Sequence, residues 1–366
     1  MNQLIDTRYL KYLKHFLILL SVFAVGGFMS GCGPEPPPEI IGPGSKADTA
    51  LVERTDLPPL RIPADNPLTL AGVDLGRHLF YDPMLSGDGT QACGTCHNQK
   101  FAFTDNGNPV SQGIRGSFGK RNAMTIFNLM WVDSFFWDSR AKTLRQLATM
   151  PIENPIEMDA RIPDVLVKLN NSAMYRQKFK DAFNTDTILK EHLEKALEQF
   201  LLSITSDNSK FDRSNRGEVE LTSAELKGFN ALKIKGCFNC HSTSLLIDNK
   251  SHNTALDPYP KDSGKMGFTK LTKDKFSFKT PSLRNIMVTA PYMHDGRFMT
   301  IDEVIRFYEE VGNNLNTSNN SNAPRDLMTI APRNRITEEE MADIKAFLNT
   351  LTDEKFLNNP KYSDPF

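Results

Sequence analysis

The chain has 366 residues, of which 39% are hydrophobic and 24% charged, with 43 Lys and Arg against 44 Asp and Glu. This composition is too apolar for a disordered protein, and a net charge of −1 excludes the broad basic surface of a nucleic-acid binder, though not a local patch. The length allows two domains of ~150 residues, and the presence of a single strongly apolar segment excludes a polytopic membrane protein.

That segment is N-terminal. Arg8, Lys11 and Lys14 precede an apolar run from Phe16 to Met29, too short to span a bilayer comfortably and matching the core of a signal peptide. It ends in Met-Ser-Gly-Cys32, which resembles the lipobox of bacterial lipoproteins; a plain secretory signal is the alternative. On the lipobox reading, residues 1–31 are a lipoprotein signal peptide and Cys32 is the lipidated first mature residue. Gly33, in place of Asp, then points to the outer membrane. Either reading sends the protein to the periplasm. Cleavage removes three basic groups and one acidic group, taking the charge from −1 to −3. Residues 32–63 carry eight prolines and form an extended linker, long enough to hold the body clear of a membrane.

The folded part begins near residue 64. The turn Leu85-Ser-Gly-Asp-Gly-Thr90, a loop by its Gly content, leads into the first of two pentads, Cys93-Gly-Thr-Cys96-His97. A helix is predicted from about Thr187 to Ser206, with Ile188, Leu189, Leu193, Ala196, Leu197, Phe200, Leu201 and Ile204 on one stripe and His192 facing solvent. Residues 207–220 are charged and read as a weakly structured domain junction. Thr222-Ser-Ala-Glu225 is a capping box opening a helix into the second pentad, Cys237-Phe-Asn-Cys240-His241. Two further capping boxes, Thr300-Ile-Asp-Glu303 and Thr337-Glu-Glu-Glu340, each precede an apolar-periodic stretch, and the Asn-rich residues 312–335 between them read as a polar loop. No strand-type alternation of useful length occurs. The predicted fold is mainly α, with two cytochrome c-like haem domains (64–207 and 208–366) and long loops wrapped on the porphyrins.

With Cys32 assigned to lipid, the remaining four cysteines all fall in the two pentads. C-x-x-C-H is the attachment signature of c-type haem. Two thiols three residues apart reach the two vinyl groups of one porphyrin, and the adjacent His becomes the proximal iron ligand. Zinc would use four thiolates and would not need a His after each pair; a thioredoxin-like pair would follow a strand, and neither does. Two covalent haem c groups are expected, on Cys93, Cys96 and His97, and on Cys237, Cys240 and His241.

Further segments carry a resemblance. These are Leu75-Gly-Arg-His-Leu-Phe-Tyr-Asp82, Arg121-Asn122-Ala123, Phe136-Trp-Asp-Ser-Arg-Ala141, Pro151-Ile-Glu-Asn-Pro-Ile-Glu-Met158, Pro281-Ser-Leu-Arg-Asn285 and, most specific, Thr289-Ala-Pro-Tyr-Met-His-Asp-Gly-Arg297. With the two pentads, from about Asp65 to the C-terminus, they resemble the bacterial di-haem cytochrome c peroxidase family, which includes the MauG-type enzymes. The resemblance implies that the N-terminal haem reacts with peroxide and the C-terminal haem handles electrons. In many members a His before Arg-Asn blocks the reacting iron; here Ile114 holds that position, which implies a haem open without reductive activation. Glu157 matches the distal carboxylate and is the acid/base candidate. Leu147 stands where the family has a distal Gln, with Gln146 one place off, and Met150 replaces a Gly and would crowd the pocket.

The same resemblance places Trp137 between the haems as a relay, whereas Trp131 lacks the register. It implies a calcium site from the Asn122 side chain and the carbonyls of Thr289 and Pro291, oxygen ligands that suit a hard cation. His294 is implied to bond a haem propionate or to support the electron-handling site. The sixth ligand of the second haem is implied fourteen residues after His294, at Tyr308. Helical spacing independently puts Tyr308 on the face of Ile301, Val304 and Ile305, though a core Tyr bonded to a carbonyl would sit there too. Met293 and Met299 do not match the register.

Three functions follow. The first is reduction of hydrogen peroxide with electrons from a small exported cytochrome c or cupredoxin. The second is MauG-type oxidation of Tyr or Trp on a partner protein through a bis-ferryl-like state, and the third is a plain electron carrier. Membrane contact would be through the lipid alone, and the resemblance admits a homodimer.

Overall fold

The computed structural model describes residues 51–52, 57–105, 107–256, 261–317 and 335–366. The signal-peptide and lipid-anchor readings, and most of the 32–63 linker, lie outside the described residues. Among the described residues, twelve α-helices and two short strands make a mainly α fold. The helices before the junction are α1 (Leu70–Tyr81), α2 (Cys93–Cys96), α3 (Leu144–Glu153), α4 (Ile162–Asn171), α5 (Ala173–Phe183) and α6 (Lys190–Ser203). Those after it are α7 (Lys210–Asn215), α8 (Ser223–Ile234), α9 (Met266–Thr269), α10 (Ile301–Thr317), α11 (Glu338–Asn349) and α12 (Glu354–Leu357). Strands β1 (Ser251–His252) and β2 (Phe278–Lys279) pair antiparallel, with Ser251 opposite Lys279 and His252 opposite Phe278. No helix among the described residues is long and apolar enough to cross a membrane.

Two apolar cores organise the helices. In the first, the α6 stripe of Leu193, Ala196, Leu197, Phe200 and Leu201 is buried against Leu75 and Leu79 of α1. The crossing is close because Gly76 has no Cβ; one would collide with the Ala196 carbonyl and lie 2.8 Å from Phe200 Cβ. In the second core α8 packs on α11, again through a glycine: a Cβ on Gly228 would strike the Asp343 carbonyl. Phe347 is its centre, meeting Phe211 and Phe229 at 5.3 Å between ring centroids. Burying a Phe of this kind stabilises by about 1.5–3 kcal/mol. The first core also receives Leu245, Ile247, Phe356, Leu357 and Tyr362, so late residues return to the early half.

All three capping boxes form. Glu225 Oε2 accepts from Thr222 N at 2.7 Å, Glu303 Oε2 from Thr300 N at 2.8 Å, and Glu340 Oε2 from Thr337 N at 3.0 Å.

Four local expectations are corrected. Residues 207–220 are not weakly structured: Ser209 and Asp212 cap α7 reciprocally, and Asp212 is locked in a buried pair with Arg284, with both N···O distances 2.8 Å. Lys210 likewise pairs with Glu225, whereas Glu218 and Glu220 stay exposed. The helix predicted over 187–206 is shorter, because His192 Nδ1 accepts from Leu189 N at 3.2 Å and caps it. That also corrects His192, which stacks on Phe183 and does not face solvent. The segment 312–335 is helical as far as Thr317, since α10 continues through its asparagines; 318–334 lie outside the described residues.

Asp353 ties the halves together. Its Oδ2 accepts from Ser206 Oγ, Asp207 N and Asn208 N at 2.9–3.2 Å, and its own N donates to Asn285 Oδ1 at 2.8 Å.

Candidate functional site

The two pentads fold alike. His97 N donates to Cys93 O at 3.0 Å and His241 N to Cys237 O at 3.1 Å, each closing one tight turn that brings both thiols to one side. None of these four cysteines is in a disulfide. Each histidine is then oriented by a carbonyl a few residues on: Nδ1 of His97 lies 2.7 Å from Phe103 O and Nδ1 of His241 lies 3.3 Å from Leu246 O. A proton on Nδ1 leaves the Nε2 lone pair for an iron. Burial lowers the pKa of both imidazoles, so both stay neutral and able to ligate. The two pairs sit in separate halves, and among the described residues no cluster of four thiols forms, which removes the zinc reading.

Beside the first pentad opens a cavity of about 970 Å³. Cys93, Cys96 and His97 line it together with apolar side chains such as Leu147, Leu197 and Leu201. An apolar chamber with two thiols and a neutral imidazole on its wall fits a covalent haem. One buried polar atom on the wall, Gln91 Oε1, has no partner among the described residues.

Glu157 lines the same cavity and accepts from Asn154 Nδ2 at 2.7 Å. Burial raises its carboxyl above the ordinary range, while Arg140 and Asn154 pull the other way. Ile114 is buried but is not among the lining side chains. Its Cδ1 lies toward Gly87, and its N donates to Glu157 O at 2.9 Å. The loop of the missing His is thus pinned to the backbone of Glu157, and it brings no His or Met to the cavity wall. Gln146 does not replace the absent distal Gln: it is exposed and its Oε1 accepts from Lys142 N at 2.8 Å. Leu147 takes the wall position. The expectation that Met150 crowds the pocket is also corrected, since Met150 is on the surface and off the lining; Ala148 and Pro151 face inward instead.

Trp137, Asn122 and His294 form the far wall. Trp137 Nε1 donates to Asn122 O at 2.9 Å, and Trp137 O accepts from Lys279 N at 2.8 Å. Asn122 N donates to His294 O at 2.8 Å, and the His294 ring stacks on Phe278 at 3.7 Å. Trp131 is buried with Nε1 donating to Pro59 O at 2.9 Å, a packing role. The Asn122 amide hydrogens go to Asn108 O and Pro109 O, leaving Oδ1 as its ligand atom. The carbonyls of Thr289 and Pro291 accept no hydrogen bond among the described residues.

In the second half, Tyr308 lies on the α10 face that carries Ile301, Val304 and Ile305 into the second core. Burial raises its phenol, and the charges of Cys237 and Cys240 act in the same direction. Met299 is on the surface.

Sequence reasoning missed several groups. Asp248 Oδ2 lies 2.6 Å from His252 Nε2, and ligand-type atoms of Cys240, Asp248 and His252 lie within 4.8 Å of one another, bracing the second pentad. Phe278 and the buried Lys279, whose ammonium pKa burial pushes down to about 8, join the cavity wall. Only the pairing of two-residue strands brings these groups together, and no periodicity announces strands so short.

A family model described as di-haem cytochrome c peroxidase matches residues 70–220. The methylamine utilization protein MauG of Methylorubrum extorquens is 33% identical over 297 residues, 79% of this chain and 80% of that protein. The cytochrome c551 peroxidase of Nitrosomonas europaea is 32% identical over 315 residues, 84% of this chain and 88% of that protein. Among solved structures, a MauG-like protein associated with microbial copper homeostasis superposes with a TM-score of 0.77 at 34% identity, covering 86% of this chain and 98% of that one.

Proposed function

The chain belongs to the di-haem cytochrome c peroxidase family of haem oxidoreductases, and from that premise we propose that it reduces hydrogen peroxide at an N-terminal haem whose distal side is open. The observation that carries this is the cavity with His97 and Glu157 on its walls and Ile114 turned out of it. Cys93, Cys96 and His97 hold one haem c in the 64–207 domain, and Cys237, Cys240, His241 and Tyr308 hold the other in the 208–366 domain. Bound there, the first haem supplies the redox chemistry that cleaves the peroxide O–O bond.

The chain's own residues do the rest. Peroxide needs two electrons and two protons to become two waters. Glu157 takes a proton from the entering peroxide at a carboxylate oxygen and returns it to the departing oxygen. Asn154 holds that carboxylate in place, and Leu147 and Pro151 keep bulk water off it. Trp137, fixed at both its indole N–H and its carbonyl, relays electrons between the halves. Asn122, Thr289 and Pro291 hold a calcium ion beside it. Residues 1–31 direct export, and Cys32 carries the lipid anchor.

A second reading, peroxide-driven oxidation of a protein partner, is favoured by Tyr308 on the core-facing side of α10, at the position proposed for the sixth ligand, where Met would raise the potential and a phenolate lowers it. Steady-state turnover separates the two. With peroxide and a reduced donor protein, rapid continuous turnover supports the peroxidase. Negligible turnover with a long-lived oxidised species supports protein oxidation, and no reaction with peroxide at all contradicts both.

A further inference from the structure

Residues 263–277 form a closed lobe on the rim of the cavity. Its neck is sewn by Phe276 N to Ser263 O at 3.0 Å and Lys265 N to Ser277 O at 2.8 Å. Such compact loops with adjoining ends are frequently functional. At the tip, Phe268 and Leu271 are each 50% exposed. Around them stand Lys270, Lys273 and Lys275, all exposed and none with an ion-pair partner among the described residues; the remaining charges, Lys265 and Asp274, pair with each other at 3.7 Å. On a chain of net charge −1, three uncompensated lysines framing two bare apolar side chains are a local departure. The lobe is also wired inward. Phe276 and Phe278 at its base line the cavity, Phe278 stacks on His294, and Lys279 N holds Trp137 O.

We propose that this lobe is the docking surface for an acidic redox protein, with Phe268 and Leu271 as the apolar contact and Lys270, Lys273 and Lys275 as the charged rim. The proposal rests on the peroxidase reading, whose protein partner it specifies. A small apolar centre inside a charged rim is the form of a transient electron-transfer interface. The sign of the rim selects a negative partner and speeds its encounter at low salt.

The test uses the holoenzyme with peroxide and three donors: reduced plastocyanin (an acidic cupredoxin), reduced mitochondrial cytochrome c (basic), and guaiacol. The native protein should favour plastocyanin, with kcat/KM falling as salt rises. The triple variant Lys270→Glu, Lys273→Glu, Lys275→Glu should lose about tenfold or more in kcat/KM for plastocyanin and its salt dependence. Phe268→Ser should weaken plastocyanin binding while keeping the salt slope. Guaiacol oxidation should be unchanged in all variants. Titration calorimetry with plastocyanin reads docking without turnover. Native plastocyanin binding or kcat/KM in the triple variant overturns the proposal, as does a native preference for cytochrome c. So does a loss confined to binding of phosphatidylglycerol vesicles, which would make the lobe a membrane contact. Absence of guaiacol oxidation in the native holoenzyme overturns the peroxidase reading itself, and with it the partner named here.

Discussion

Replacing Glu157 with Gln isolates its proton from its shape. The amide keeps an acceptor for Asn154 Nδ2, which now sits 2.7 Å from Oε1, and the cavity wall keeps its volume. What is lost is a carboxylate able to take and return a proton. A positioned acid/base group contributes about 10²–10⁴ in rate, equivalent to about 3–5 kcal/mol of barrier. The second-order rate of the holoenzyme with peroxide, followed by stopped-flow absorbance, should fall by that factor while the melting temperature holds. The pH profile gives a second readout. Because burial raises the Glu157 carboxyl, the native rate should fall on an acid limb above the ordinary carboxylate range, and that limb should vanish in the variant. A native rate in Glu157→Gln, or an acid limb that survives it, would refute the assignment.

Other consequences can be checked on the same protein. Gly228→Ala forces a methyl into the Asp343 carbonyl and should destabilise by about 1–3 kcal/mol, read by denaturant unfolding; a neutral result would mean that α8 and α11 are not in close contact. The hydrogen bond to Asp248 raises His252 from 6.5 to about 10, so the pair's contribution is complete below pH 6.5 and is lost as pH climbs toward 10. For Asp248, burial opposes and His252 favours ionisation, bringing it from 3.8 to about 2, so its share is lost only as pH falls through that range. The melting temperature should therefore drop more steeply between pH 6.5 and 10 in the native protein than in His252→Gln, and equal slopes would contradict the pairing. Metal analysis should find calcium in the native holoprotein and not in Asn122→Ala; a calcium-free native protein would remove that site.

The covalent chemistry was legible because it is local. C-x-x-C-H needs one turn of chain, and both pentads form it with the same hydrogen bond from the His backbone. Capping boxes and the α6 stripe were legible for the same reason: a short stretch of contiguous chain contains the whole argument. Position relative to the cavity was not. Gln146 and Leu147 are adjacent, yet one faces water and the other the cavity, and Met150 is turned outward by the same helix phase. His192 looked solvated by its place off the stripe, but a cap and a stacked Phe183 use it. Residues 207–220 looked like a linker because charge in sequence does not reveal that Asp212 meets Arg284, 72 positions away. The β1–β2 pair depends on tertiary contact alone, and the Asp248–His252 brace, though only four residues apart, lies where no helical periodicity announces it.

The most direct measurement is the electron spin resonance spectrum of the resting ferric holoprotein. One high-spin centre, from an N-terminal iron with only His97 on it, and one low-spin centre, from an iron between His241 and Tyr308, is the result this account predicts. Two low-spin centres would mean that a side chain occupies the face left open by Ile114, and would contradict it.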